Sequence, residues 1–295
     1  MPSLSELRDT TALRHRYVKK VVVYVESEAD ANLFRTIVGP GFNEHIVFEP
    51  PPEGGTGCGP ARAYVEKYRP DDPNVYALLD GEASVPESEG FKSFVKSDGA
   101  IFSLDQSDGL LYLADHEAEN ILLRQADIVA YIVDQTTLAD LGKRKPEEIV
   151  RKVSEIVDRQ FLGALCKYAS YLLHAEGKIS GVLGGTHAQD ARDEDTQRLL
   201  EERVASGNCD WQTFKDELDR VRDHIILHME SMDETGKTTT KWRLADGKIA
   251  LRQMRATYGI APTWEVPLAK SVASSDYARK FREDLFRFTK IPVAA

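Results

Sequence analysis

Cysteine is scarce in this chain, and long apolar runs are absent. The three cysteines, Cys58, Cys166 and Cys209, form no CxxC pair. This spacing argues against a zinc site or a disulfide framework and is typical of a reducing cytosol. No apolar run approaches the ~20 residues that a membrane-spanning helix needs. Residues 1–16 are polar and charged, unlike a secretory signal peptide. We therefore expect a cytoplasmic protein without a membrane span.

Positive charge is also in short supply. The 38 Lys and Arg residues stand against 48 Asp and Glu residues, which gives a net charge of −10. An acidic chain binds a polyanion only through a local basic patch or through bound cations. Carboxylates clustered around a divalent metal would fit this balance. With 295 residues, 42% of them hydrophobic, the chain can form one large or two small domains.

The stretch at residues 21–25 contains five consecutive β-prone residues and predicts a short buried strand. Glu26 ends this strand, and Ser27 can cap a helix that begins near Glu28. In open α/β sheets, ligands bind at the carboxyl ends of the strands. Glu26 and Asp30 lie across this strand-to-helix turn, so both carboxylates could face one crevice. The alternative is that Glu26 caps the helix and that Asp30 is solvated.

Short apolar runs alternate with helical stretches over residues 18–125, which predicts an α/β fold with a parallel sheet flanked by helices. Further strands are expected at 45–48, 74–79, 100–104 and 110–113, and a surface loop at 83–100. Residues 126–295 instead carry apolar stripes at helical spacing and predict a mainly α-helical domain. The helices of this domain are expected from Pro146 to about 157 and at 161–175, 194–205, 211–229 and 275–288. A further short helix is expected at 3–16, before the first strand.

Pairs of carboxylates follow three successive predicted strands: Glu26 with Asp30, Asp80 with Glu82, and Glu117 with Glu119. Because the carboxyl ends of parallel strands share one edge, these side chains could converge. Crowded acids raise one another's pKa values, and a divalent cation removes that cost. Hard oxygen ligands select Mg²⁺ or Mn²⁺. Two such ions about 4 Å apart can activate water and stabilise the leaving oxygen of a phosphodiester. Solvated surfaces carry similar acidic alternations, which is the alternative.

The strand ending in Glu26, the Glu26-x-x-x-Asp30 spacing and Asp80-Gly81-Glu82 resemble the TOPRIM fold, and most closely the TOPRIM nucleases of the OLD type. The run at 119–122, Glu-Asn-Ile-Leu, resembles a signature of small stand-alone TOPRIM proteins that act with an ATPase in antiphage defence. The resemblance covers residues 18–125 well and the helical remainder in outline. One residue departs from the pattern, because Glu82 stands where the motif usually has an aspartate.

This resemblance implies a metal site for Mg²⁺ or Mn²⁺. Its ligands would be Asp30, Asp80 and Glu82, with Glu26 as ligand or general base and Glu119 for a second ion. Lys248 is the best match to a lysine that OLD-type nucleases use, and it could stabilise charge on the phosphate. Read without the resemblance, Glu119 is an acid at a helix start and Lys248 is a solvated lysine in a first helical turn.

The function implied by the resemblance is metal-dependent endonucleolytic cleavage of tRNA or DNA. The protein would be the toxic effector of a bacterial antiphage (abortive infection) system, held by an ABC- or AAA-type ATPase partner, since the chain shows no ATP site of its own. A homodimer is left open. Two alternatives are a TOPRIM subunit that binds without cleaving and a small-molecule phosphohydrolase.

Two further patterns resemble ligand sites. The sequence at 236–238, Gly-Lys-Thr, resembles the end of a Walker A loop, but Ser231 occupies the position of the required first glycine. His224 and His228 are spaced to share a helix face and could bind metal. No third ligand is evident near them, so a structural pair is the stronger interpretation.

Two stretches could contact phosphate. A Gly-rich loop at 54–60 precedes a predicted helix, and it is either a phosphate cradle or a flexible turn. The last predicted helix carries a basic face. We expect this face to contact phosphates or an acidic surface of the ATPase partner, or else to be solvated. Its residues are Arg279, Lys280, Arg282 and Arg287.

Overall fold

The computed structural model describes residues 20–52, 57–125, 128–135, 145–183, 194–205 and 208–290. The predicted helix at 3–16 and residues 54–56 of the Gly-rich loop lie outside these residues.

The described residues form an α/β structure whose C-terminal region is helical. The strands are β1 (Val21–Tyr24), β2 (Ile46–Glu49), β3 (Val75–Leu79), β4 (Ile101–Phe102) and β5 (Leu110–Leu113). The α-helices are α1 (Glu28–Val38), α2 (Cys58–Tyr68), α3 (Gly90–Lys96), α4 (Ala118–Gln125), α5 (Ile128–Gln135), α6 (Pro146–Ala175), α7 (Glu194–Ala205), α8 (Trp211–Met229), α9 (Glu234–Leu244), α10 (Gly247–Tyr258), α11 (Glu265–Val272) and α12 (Asp276–Thr289).

The five strands form one sheet in the order β2-β1-β3-β5-β4. The pairs β1–β2, β1–β3 and β3–β5 are parallel, and β4 is antiparallel to β5. The predicted mostly parallel sheet is therefore confirmed. The continuous apolar runs of β1 and β3 suit central strands, and all of their residues are buried.

The chain divides into two compact units that interleave along the sequence. We call the described residues of Met1–Ala83, Ser97–Ala114 and Ala269–Ala295 the sheet unit, and those of Ser84–Lys96 and Asp115–Leu268 the helical unit. The predicted division into domains at 18–125 and 126–295 stays a prediction.

In the sheet unit, α2 covers one face of the sheet. Its residues Ala61, Tyr64 and Val65 share a buried cluster with side chains of β1, β3 and β5. Elsewhere in this unit, α12 packs on α1, where the rings of Phe34 and Phe281 stack with centroids 5.5 Å apart. The last helix thus belongs to the core of the sheet unit.

In the helical unit, α6 is one continuous helix from Pro146 to Ala175, where the sequence predicted two. The predicted division into two helices was therefore wrong. Gln160 is buried and donates through Nε2 to Oε1 of Gln253 at 3.2 Å, so a distant partner satisfies it inside the helix.

The stretch at 83–100 was predicted as a surface loop, but it contains α3. Phe94 and Val95 are buried within the helical unit. Their carbonyl oxygens accept hydrogen bonds from the guanidinium of Arg243 at 2.8 and 2.6 Å. A contact between residues 149 positions apart therefore fixes the end of this short helix. None of the helices in the described part of the chain combines the length and the apolar character that a membrane crossing requires.

Candidate functional site

The first group of candidate residues lies at the carboxyl edge of the central strands. Strands β1 and β3 are adjacent and parallel, with Tyr24 opposite Ala77. The chain therefore leaves both strands at the same edge, and the Asp80 amide N–H donates to Glu26 Oε1 at 3.4 Å. We call Glu26, Asp30, Asp80 and Glu82 the acidic edge. All four side chains are partly exposed.

Asp30 is held by the helix cap that precedes it. Ser27 Oγ accepts from the Asp30 amide at 3.2 Å and donates to Asp30 Oδ2 at 2.7 Å. Ser27, and not Glu26, is therefore the N-cap of α1. This arrangement leaves the Glu26 carboxylate directed at the start of the Asp80 segment.

The charges of the acidic edge affect the pKa of the Cys58 thiol. Cys58 is the first residue of α2 and is partly buried. Burial raises the pKa of its thiol, and the negative charges of Glu26 and, more weakly, Glu82 raise it further, against an opposing effect of Arg62. Two carboxylates from different segments thus act on one thiol. All three cysteines are free thiols, as the spacing predicted.

The acidic edge offers oxygen donors only, which is the donor set that Mg²⁺ and Mn²⁺ prefer. Its four residues are partly exposed, although Glu82 Oε2 is buried, and strand pairing brings Glu26 and Asp80 to one edge. Their donor atoms are therefore of the kind that a hard divalent cation takes, but among the described residues they do not form a group of three ligand atoms within 4.8 Å of one another.

The second group of candidates lies in the helical unit, around the start of α10. Lys248 is in the first turn of this helix, as predicted, and its side chain is 54% exposed. Its Nζ lies 3.5 Å from Glu117 Oε2 and 3.6 Å from Glu119 Oε1, and its amide donates to Glu117 Oε1 at 2.8 Å. Glu117, Glu119 and Lys248 are thus neighbours. Their predicted convergence with the acidic edge stays a prediction.

Asn120 fixes the segment that carries Lys248. The fully buried Asn120 accepts from the Glu117 amide at 3.1 Å and donates to the carbonyl oxygens of Trp242 and Ala245 at 2.7 and 2.8 Å. A Cβ on Gly247 would lie 2.5 Å from Asn120 Oδ1, so only glycine fits there. The α9–α10 junction is therefore clamped onto the start of α4.

A buried cluster that the sequence did not predict lies beside this junction. Ligand atoms of His116, Glu117 and Asp246 lie within 4.8 Å of one another. Tyr168 Oη is 2.6 Å from His116 Nδ1 and donates to the Leu244 carbonyl at 2.7 Å, which assigns the ring proton of His116 to Nδ1. The other ring nitrogen, Nε2, faces Lys167.

The cluster already contains a cation. Lys167 Nζ lies 3.2 Å from His116 Nε2 and 3.6 Å from Asp246 Oδ2. Burial raises the pKa of Glu117 to about 8, and the charge of Asp246 adds to this shift. Burial would also raise the pKa of Asp246, but Lys167, His116 and the Ile249 amide outweigh it and lower that pKa. At neutral pH Glu117 is therefore protonated, and Asp246 and Lys167 balance each other.

These three side chains could hold a divalent transition metal, since one imidazole and two carboxylates form a common ligand set. A metal on His116 Nε2 would have to displace the ammonium of Lys167 and the proton of Glu117. The acidic edge instead offers carboxylate oxygens alone, where two adjacent parallel strands end. His116 and Asp246 escaped sequence analysis because they belong to segments far apart in the chain. One local signal was present for Asp246: it directly precedes helix α10 and caps it by accepting a hydrogen bond from the Ile249 amide.

The other patterns have structural explanations. Burial lowers the pKa values of His224 and His228, and the ring of His224 packs against Phe91 with centroids 5.4 Å apart. Within the described ranges, neither histidine belongs to a group that could hold a metal. The sequence at 236–238 lies inside helix α9 and forms no phosphate-binding loop.

The basic face of α12 is engaged by groups of the sheet unit. Arg279 pairs with Glu283 at 2.7 Å, and Arg287 pairs with Asp284 at 3.0 Å. Arg282 Nη1 donates to the Ile37 carbonyl at 3.1 Å, and Lys280 donates to the Asp98 carbonyl. These cations therefore have structural contacts, and their contact with phosphate or with a partner stays a prediction.

No protein-family model matches the chain, and no curated protein sequence is significantly similar to it. The TOPRIM resemblance therefore rests on the residues quoted for it.

Proposed function

We propose that the protein is a metal-dependent nuclease of the TOPRIM type that hydrolyses phosphodiester bonds of tRNA or DNA. The observation that carries this proposal is the acidic edge. Two adjacent parallel strands, β1 and β3, present Glu26 and Asp80 at one carboxyl edge, with an amide–carboxylate contact of 3.4 Å between their segments. Ligand sites of open α/β sheets lie at this edge.

Glu26, Asp80 and Glu82 would hold Mg²⁺ or Mn²⁺, and Asp30 would contribute from its position beside Ser27. When bound, such an ion activates water and stabilises charge on the leaving oxygen. As an alternative to holding the metal, Glu26 would act as the general base that accepts a proton from the attacking water. The proposal for Glu119 as ligand of a second ion and for Lys248 as stabiliser of phosphate charge is supported by the resemblance and by the exposed position of Lys248.

The role of a toxic effector in antiphage defence, controlled by an ATPase partner, is supported by the resemblance alone. It is consistent with the helical conformation at 236–238, the stretch that most resembled a nucleotide-binding loop.

Cleavage by purified protein tests the proposal. Labelled tRNA and DNA are incubated with Mg²⁺ or Mn²⁺, and we expect Glu26→Gln and Asp80→Asn to lower the cleavage rate at least about 100-fold, with unfolding temperatures within a few degrees of wild type. The control is Asp276→Asn, because the side chain of Asp276 is 98% exposed at the start of α12. If wild type cleaves neither polymer but releases phosphate from nucleotides, the chain is a phosphohydrolase. If it binds nucleic acid without any hydrolysis, it is a binding subunit.

Cys58 provides a test of the metal that is independent of activity. Because Glu26 and Glu82 raise the pKa of this thiol, a cation bound to them should lower it and speed alkylation by iodoacetamide. We expect Mg²⁺ or Mn²⁺ to accelerate labelling of Cys58 several-fold in wild type and much less in Glu26→Gln. Cys166 is the internal control, because it is fully buried and its pKa is raised to about 12. Equal labelling rates with and without metal would contradict a metal at the acidic edge.

A further inference from the structure

A single cation of α2 reaches the carboxyl edge of the sheet. Arg62 lies one helical turn after Cys58, and its Nη2 donates to Tyr112 Oη at 3.3 Å. Tyr112 is opposite Leu79 in the pairing of β5 with β3, and Asp80 follows Leu79 directly. The guanidinium of Arg62 is therefore held at the height where the chain enters the acidic edge.

Tyr112 is a rigid support for this guanidinium. It is 1% exposed, and its ring stacks on Phe102 with centroids 5.5 Å apart. It also belongs to the buried cluster that α2 forms with the sheet. Its hydroxyl group accepts the hydrogen bond from Arg62, so Tyr112 ties the arginine to the core of the sheet unit.

The other basic residues of this helix region lie elsewhere. Arg69, just after α2, donates to the carbonyl oxygens of Pro73 and Val75 at 2.9 and 2.8 Å, where β3 begins. Lys67 lies over the ring of Tyr68 in the last turn of α2. The helix therefore runs from the carboxyl edge to the opposite edge of the sheet, and its two ends carry their cations at different edges.

A phosphodiester strand needs a cation beside four carboxylates. The acidic edge repels a polyanion, and a bound metal ion neutralises only part of that charge. Arginine matches the geometry of a phosphate group because its planar guanidinium can donate two parallel hydrogen bonds. The thiol of Cys58 feels Glu26, Glu82 and Arg62 together, which supports one shared neighbourhood for these charges.

We propose that Arg62, positioned by Tyr112, binds a phosphate of the nucleic-acid strand beside the acidic edge, an inference that rests on the proposed nuclease function. Arg62 would be a substrate-binding residue, and Tyr112 would be a positioning residue that acts through it. The ligand class is a polynucleotide phosphate, in RNA or DNA.

The test is fluorescence anisotropy with labelled single-stranded RNA and DNA oligonucleotides, in Ca²⁺ and over a range of salt concentrations. We expect Arg62→Gln to weaken binding about tenfold and to reduce the slope of log K against log salt by about 0.7, the value for one lost contact on a single strand. Arg62→Lys should retain the slope while losing part of the affinity, because it keeps the charge without the planar fork.

Lys67→Gln is the matched control, since it removes the same charge from the other end of α2. It should leave affinity within twofold of wild type and the slope unchanged. Tyr112→Phe should weaken binding two- to threefold and leave the slope unchanged, because the charge remains but its support is lost. Circular dichroism and unfolding temperature confirm that each variant is folded.

Equal effects of Arg62→Gln and Lys67→Gln, or no measurable binding by wild type, would overturn the inference. Competition by inorganic phosphate at concentrations as low as those of the oligonucleotide would also overturn it, by showing a small-molecule site. Cleavage that survives Arg62→Gln, with unchanged KM and salt slope, refutes the role of Arg62 and leaves the nuclease proposal standing. Arg62-dependent binding without cleavage supports the role of Arg62 and refutes the nuclease.

Discussion

The chain holds two groups of carboxylates in opposite ways. At the acidic edge of the sheet unit, Glu26 and Asp80 are partly exposed, and strand ends bring them together. In the helical unit, Glu117 and Asp246 are buried; burial raises the pKa of Glu117 to about 8, and Lys167 Nζ lies 3.6 Å from Asp246 Oδ2. The first arrangement keeps its carboxylates partly exposed, while the second places a lysine beside its buried carboxylate.

The buried cluster shows that closely spaced ligand atoms can already have a cation of their own beside them. The buried cluster has the tighter geometry, but Lys167 occupies the position that a metal would take. Buried charges must be compensated within the fold, since unpaired burial is costly. Exposed carboxylates remain in contact with water and need no compensating charge within the fold. Their presence is therefore a matter of function and not of stability.

The largest effect on stability is expected from the buried charges of the helical unit. Asp115 is fully buried and binds Arg124 through two hydrogen bonds of 2.7 and 2.8 Å. Asp115→Ala leaves that arginine without its carboxylate, so we expect unfolding in urea to lose about 3–5 kcal/mol. Glu155→Ala, which removes an exposed partner of Arg151, should cost less than about 1 kcal/mol. Equal losses in the two variants would remove the contrast between buried and exposed charge.

A smaller loss is expected from Lys167→Met, which removes the internal cation but keeps the volume. Asp246 then lacks its ammonium partner, and we expect a loss of about 2–3 kcal/mol. The variant should regain stability in Zn²⁺ or Mn²⁺, because His116 Nε2 becomes accessible to metal. Wild type should show no such gain through this cluster, as His116→Ala in each background would verify. Metal stabilisation of wild type that His116→Ala abolishes would mean that the cluster is a metal site.

The pH dependence of stability distinguishes the two groups further. The pKa of Glu117 is raised to about 8 in the folded protein, mainly by burial and then by Asp246. The folded state keeps this proton while the unfolded state releases it near pH 4.5, so stability should fall as pH rises from about 5 to 8. One proton gives a slope of at most about 1.4 kcal/mol per pH unit.

Glu117→Gln mimics the protonated form, so it should flatten this decline in urea unfolding measured in metal-free buffer. The comparison with wild type subtracts the neighbouring titratable groups, which are His116, Glu119, Lys167, Asp246 and Lys248. Glu26→Gln should leave the decline unchanged. A difference in stability between wild type and Glu117→Gln that stays constant over this range would show that Glu117 is ionised in the folded protein.

The smallest effect is expected at the basic face of α12. Arg279 pairs with Glu283 and Asp276 on the surface, and its side chain is 60% exposed. Arg279→Ala should change the free energy of unfolding by less than about 0.5 kcal/mol. Any loss of nucleic-acid binding or of a co-purifying ATPase would then report contact, not folding. If neither binding nor co-purification changes, the phosphate and partner interpretations of Arg279 are both wrong.

Local sequence patterns predicted correctly those elements whose structure depends on neighbouring residues. The β-branched run of β1 and the apolar run of β3 fixed the central strands, and these strands fixed the edge that carries Glu26 and Asp80. Lys248 was correctly placed in a first helical turn. These predictions needed only the periodicity and end signals of neighbouring residues.

Sequence analysis failed where distant residues decide. Two helices were expected where α6 is continuous, and inside it Gln253 satisfies the side-chain amide of Gln160. A loop was expected where α3 lies, and Arg243 bonds carbonyl groups at the end of this helix. The contact of Glu117 with Lys248 joins residues 131 positions apart, so no local window contains it. The buried cluster was missed for the same reason, because its members meet only through tertiary packing.

The sheet unit is completed by α12, a helix that is translated long after the strands of the sheet. Asp284 Oδ2 accepts hydrogen bonds from the amides of Ala100 and Ile101 at 2.8 and 3.1 Å, and Phe281 stacks on Phe34. Helix α12 is therefore needed to complete a core whose strands left the ribosome long before. A nascent chain that carries the whole acidic edge still lacks this helix, so the enzyme activity proposed for that edge would await the synthesis of α12.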